Sequence, residues 1–192
     1  CGAKSRAWRV RQCRGDDVSG PRAPGTRRVV VYNGEDGKSR LSADEQAPRA
    51  VVYTSPRGMQ SSVLWGVQGG AALLPGMHDT APGVTTLAPK PGDNVFLMLT
   101  LAPDSAYGAE DFDGAVAAAE ALLHAPGIAD AMEPDNPGFH RTDTVDYITV
   151  LTGEVWIETD TGETQLSQGD TLIQLGTRHA WRNRGDVPTT LV

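Results

Sequence analysis

Residues Gly138 to Asn183 read GFHRTDTVDYITVLTGEVWIETDTGETQLSQGDTLIQLGTRHAWRN. Apolar and polar residues alternate, with breaks at Gly153, Gly162, Gly169 and Gly176, which predicts short strands joined by turns. Val155 and Ile157 fall on one side of such a strand, and Glu154, Trp156 and Glu158 on the other. Thr144 to Leu151 is polar at one end and carries Ile148 and Val150 at the other. That is the pattern of a barrel strand whose mouth holds a site and whose floor is packed. His140, Thr142 and Asp146 share one parity along what reads as a single strand, so their side chains share a face. His179 follows on a later strand, with Trp181 and Asn183 on its own parity. A pocket built from His140, Asp146 and His179 offers two imidazoles and a carboxylate, a set that suits divalent Fe, Mn, Ni or Zn.

This stretch resembles the cupin superfamily. The first motif of that family runs G, five residues, H-x-H, three or four residues, E, six residues, G. Here His140 takes the first ligand position, Thr142 the second and Asp146 the glutamate position, with six residues before Gly153. The second motif runs G, five residues, P-x-G, two residues, H, three residues, N. Gly169, Gly176, His179 and Asn183 match it, with the gap between the two glycines one residue short and the proline absent. The fold that this resemblance implies is all-β, a cupin double-stranded β-helix or jelly-roll barrel. The closer resemblance is to small cupins reading H-R-T-x-T-x-D-Y and Q-x-G-T-x-H-A-W-x-N, several of them in polyketide-type pathways. It implies a metal-dependent enzyme acting on an oxygenated small molecule: a dehydratase, isomerase, decarboxylase or dioxygenase. A metal-free or non-catalytic ligand-binding barrel is the alternative, because threonine at position 142 is a poor metal ligand. The ligand and catalytic set is then His140, Asp146 and His179. Thr142, Trp181 and Tyr147 are candidates for contacting substrate, with parity favouring Trp181 inside.

Outward from the core, Arg28 to Tyr32, Ala50 to Thr54 and Ser61 to Gln68 read as leading strands within 28–68. Residues 69–92 read as a proline-rich loop containing His78. Asn94 to Leu101 is the strongest apolar strand before the motif. Residues 105–134 form an insertion whose centre, Asp111 to His124, predicts a helix capped by Asp111 or Asp113 and stopped by Pro126-Gly127. The insertion reads either as a lid over the barrel mouth or as outer packing. The cupin core spans 138–192, one domain from 28 to 192. In the family, leading strands often exchange between subunits, so the resemblance also implies a homodimer.

The 192 residues carry 17 cations and 24 carboxylates, a net charge of −7. Residues 1–28 hold eight of the cations against Asp16 and Asp17, which leaves the remainder near −13. An acidic domain is a poor partner for nucleic acid, because phosphate binding needs clustered cations. Residues 1–27 are expected to be a disordered or non-native basic leader. Cys1 and Cys13 both lie in it, so no disulfide framework is implied and a cytoplasmic location is expected. No apolar run reaches membrane-spanning length, so the expected partner is a small-molecule substrate and not a membrane.

Overall fold

The computed structural model describes residues 25–70 and 79–192. Residues 1–24 of the expected leader, and His78, lie outside these residues. Eleven strands and one α-helix are formed among them. In chain order they are β1 (Arg27–Asn33), β2 (Ser39–Gln46), β3 (Arg49–Val52), β4 (Gln60–Val67), β5 (Asn94–Leu101), α1 (Gly114–His124), β6 (Val145–Thr152), β7 (Glu154–Thr159), β8 (Gly162–Ser167), β9 (Thr171–Leu175), β10 (His179–Arg182) and β11 (Thr189–Leu191).

The strands assemble into a six-stranded sheet, β3-β4-β5-β11-β6-β9, a three-stranded sheet, β10-β7-β8, and a separate β1-β2 hairpin. The recorded strand pairings are antiparallel. The two larger sheets pack face to face on Val150 of β6, Val155 of β7 and Leu191 of β11, with Ile148, Leu101, Leu166 and Trp181 around them. Alternation dictates this core, since each strand sends every second side chain between the sheets. It is the all-β, jelly-roll arrangement that the sequence implies. No helix among the described residues is long and apolar enough to cross a membrane.

Gly153 turns β6 into β7 at φ +78°, a backbone conformation open to glycine at little cost. Asn183 ties the exit of β10 to its neighbours. Its side-chain nitrogen donates to the carbonyls of Leu101 (3.1 Å) and Val187 (2.9 Å), and its oxygen accepts from Gly185 N (3.1 Å).

The insertion docks on the outer strands. Asp113 caps α1 by accepting from the amides of Ala115 and Val116. Glu120 accepts from the amides of Thr54 and Ser55, and His124 lies edge-on to Tyr53. Leu122 and Leu123 stay exposed. Of this segment, Ala125 and Ile128 pack on a second cluster of Val63, Ala81 and Leu87, and Ile128 also reaches the cavity described below. The segment is therefore mainly outer packing, with one residue at the cavity.

Arg27 and Arg28, counted above with the basic leader, are paired in the fold. Arg27 meets Asp44. The buried Arg28 guanidinium meets Asp79, Glu45 and the Leu64 carbonyl, and the hydrogen bond from Arg28 lowers the pKa of Asp79.

Candidate functional site

His140 and His179 face each other across a single antiparallel bridge. Each backbone amide donates to the other's carbonyl at 3.0 Å, so the two side chains leave the backbone on the same face. Their ring centroids lie 4.3 Å apart, inclined by 54°. Both residues are buried, at 7% and 3% exposure.

The ring nitrogens are sorted by the backbone. His140 Nδ1 lies 3.1 Å from the Gly138 carbonyl, and His179 Nδ1 lies 3.0 Å from the Thr177 carbonyl. A carbonyl can only accept, so each Nδ1 carries a hydrogen, and in the neutral ring Nε2 is left with a lone pair. Two residues before each histidine, a loop carbonyl thus favours the same tautomer. Burial lowers the His179 pKa first of all, and the neighbouring His140 adds to this, while the Thr177 hydrogen bond and the Asp146 charge oppose it. Above its ordinary titration range His179 is therefore a neutral base.

Trp181, on the same side of β10, stands edge-on to His179 with centroids 6.0 Å apart. The histidines and Trp181 line a cavity of about 870 Å³. Leu97, Leu99, Ile128 and Leu191 supply apolar wall, and Thr142 and Asp146 supply polar lining. Thr142 Oγ1 pairs with Thr144 Oγ1 at 2.8 Å.

One sequence expectation is corrected. His140 is not on the strand of Asp146: it bridges β10 in the small sheet, residues 141–144 cross between sheets, and β6 begins at Val145 in the large one. Shared parity along one strand therefore does not relate these residues. His140, Asp146 and His179 nevertheless all border the one cavity. Among the described residues no three His, Cys, Asp or Glu side chains are close enough to hold a metal ion. Tyr147, a substrate-binding candidate, borders the cavity but is 73% exposed, because the pleat that turns Asp146 inward turns its neighbour out.

The residue that sequence reasoning missed is Gln174. It is 4% exposed, sits opposite Asp146 in the β6-β9 register, and places its amide nitrogen 2.9 Å from His179 Nδ1 and 3.3 Å from Nε2. Its only signal in the chain was its place in the Q-x-G-T-x-H run.

A clamp outside the cavity fixes the bridge. Arg178 meets Glu133 through two nitrogens and Asp160 through a third, and its guanidinium lies 4.0 Å from the Phe139 ring centroid. This staples the segment before His140 to the one carrying His179.

No family model matches the chain. The chain is similar to two phomopsin biosynthesis cluster proteins, C' and D, of Diaporthe leptostromiformis, each 50% identical over 46 residues. That match covers 23% of this chain and 24% of each relative. It is also 48% identical over 48 residues to oryzines biosynthesis cluster protein J of Aspergillus oryzae, covering 24% of this chain and 27% of that one. The chain thus matches about a quarter of the length of these curated relatives. A solved structure of ethanolamine utilization protein Q from Salmonella typhimurium aligns with 87% of this chain and 94% of its own, at 10% identity and a TM-score of 0.37.

Proposed function

We propose that the chain acts in small-molecule metabolism, as a cupin-like enzyme that moves a proton on an oxygenated organic substrate. The observation that carries this is the bridged histidine pair, with both Nδ1 hydrogens held by backbone carbonyls and both Nε2 atoms beside a largely apolar cavity, that of His179 with the Gln174 amide nitrogen at 3.3 Å. His179, neutral because it is buried, is the base: its Nε2 takes a proton from a carbon next to a carbonyl, or from a hydroxyl. The same Nε2, now protonated, returns that proton to the departing or enolic oxygen, while the His140 Nε2 lone pair accepts a hydrogen bond from a substrate hydroxyl. Trp181 and the aliphatic wall orient the substrate and keep water from the pair. Dehydration, isomerisation and decarboxylation all use such a step. The relatives' names, which place them in biosynthesis clusters, support a substrate from this kind of chemistry.

A second reading keeps a divalent metal. Ligating histidines commonly give their Nδ1–H to a carbonyl and their Nε2 to the ion, and His140 and His179 have that form. A metal there would supply Lewis-acid polarisation of a substrate oxygen. The fit is incomplete, since Asp146 does not join the pair.

The test is proton exchange in D₂O, followed by NMR, with a panel of β-hydroxy and β-keto carbonyl compounds, before and after chelator treatment. The first reading expects deuterium incorporation that resists the chelator and is lost in His179→Gln and His140→Gln. Incorporation that the chelator abolishes and a divalent metal restores would move the assignment to the second reading. No binding and no exchange with any compound sinks both.

A further inference from the structure

β9 buries Gln174 where the P-x-G of the second motif would place proline, a side chain without donor or acceptor. The contact of its amide nitrogen with His179 Nδ1, at 2.9 Å, is not a hydrogen bond in that orientation, and the same nitrogen reaches the Nε2 lone pair only at the longer 3.3 Å. Nδ1 already donates to the Thr177 carbonyl, and an amide NH₂ also donates. At the other end of the same amide, Oε1 is buried without a partner among the described residues. A half-turn of a glutamine amide exchanges its oxygen and nitrogen, and the surrounding network decides between the two.

After the half-turn, Oε1 accepts from His179 Nδ1–H beside the Thr177 carbonyl, and the NH₂ becomes the group that needs an acceptor. Asp146 is placed to receive it. The two residues are directly opposed in the β6-β9 register, which puts their Cβ atoms about 5 Å apart on one face. Asp146 is also near enough for its charge to act on His179.

We propose that Gln174 is a positioning residue that ties Asp146 to His179, through a chain of Asp146 carboxylate, Gln174 amide and His179 Nδ1–H. The chain locks the His179 ring with its Nε2 lone pair toward the cavity. It also gives Asp146 a role at the site that does not require it to be a ligand. A second acceptor for the Nδ1–H and a charged end make the lock stronger than the Thr177 carbonyl alone. The inference rests on His179 being the working group in the reading above, but its test needs no turnover.

The experiment is long-range ¹H–¹⁵N NMR of the histidine rings at one fixed pH above 7, on the full chain. Wild type is expected to show His179 as a single Nδ1–H tautomer. Gln174→Leu and Asp146→Leu are each expected to lose that single signature to a mixture, with His140, braced separately on Gly138, unchanged. Gln174→Glu is expected to keep it, because a carboxylate oxygen still accepts from Nδ1–H. A folded Gln174→Leu protein whose His179 stays wholly Nδ1–H overturns the proposal, since the Thr177 carbonyl would then suffice. An unchanged tautomer in Asp146→Leu overturns the link to Asp146, and it decides the matter alone if Gln174→Leu does not fold. A protein that neither exchanges protons nor binds metal leaves these spectra readable, so failure of the functional reading and failure of this link are told apart.

Discussion

Val155 has 0% exposure and sits where the two sheets meet, against Val150 and Leu191. Val155→Ala removes two methyl groups from that contact. At about 0.8 kcal/mol per buried carbon, the transfer loss is roughly 1.6 kcal/mol. A residual void of roughly 40 Å³ adds about 1 kcal/mol if the sheets do not close on it. The expected loss is therefore about 2–3 kcal/mol, seen in urea unfolding as a lower midpoint with an unchanged slope. Val187→Ala is the control: Val187 is 64% exposed between β10 and β11, so its loss should stay within about 0.5 kcal/mol. The effect should also reach the site. Trp181 packs on the same cluster and stands against His179, so ligands that contact Trp181 should bind Val155→Ala less tightly. A loss below about 1 kcal/mol for Val155→Ala would mean that the two sheets do not share one packed core.

Three further outcomes are expected. Gly153→Ala must hold a side chain at φ +78° with its Cβ 2.6 Å from Thr189 Oγ1; it should lose about 2 kcal/mol or more, read in the same urea experiment. Because the folded state lowers the His179 pKa, the unfolded chain binds that proton more readily. The contribution of this group is complete above the ordinary histidine pKa of about 6.5 and is lost as pH falls through the lower folded value. Thermal stability should therefore decline as pH falls below about 6.5, with a shallower decline in His179→Gln; an equal slope in both would refute the assignment. The outer face of β6-β9 carries Val145 opposite Leu175 and Tyr147 opposite Ile173, all more than half exposed. We expect a second copy to cover it, so light scattering should give a dimer, and Tyr147→Asp with Leu175→Asp should give a monomer. A monomeric wild type would refute that.

Much of the fold was legible in the chain. Asn94–Leu101, Glu154–Thr159 and Thr171–Leu175 are strands over the spans that apolar alternation and glycine breaks predict. Asp113 caps α1 as its side chain allows. Of the site, the pairing of His140 with His179 and the inward turn of Trp181 were legible from motif spacing and parity. The place of Asp146 was not, because parity relates residues only within one continuous strand, and the chain leaves one sheet for the other between His140 and Val145.

By itself the sequence determined which side chains alternate inward, where the turns fall, and that two histidines recur at cupin-like spacing. These are local properties, set by a period of two and by the few residues that tolerate a tight turn. Only the tertiary structure decided that the histidines form a hydrogen-bonded bridge, that loop carbonyls face their Nδ1 atoms, and that Gln174 lies opposite Asp146 and against His179. Those depend on register between strands distant in the chain, and register is settled by the packing of the whole core.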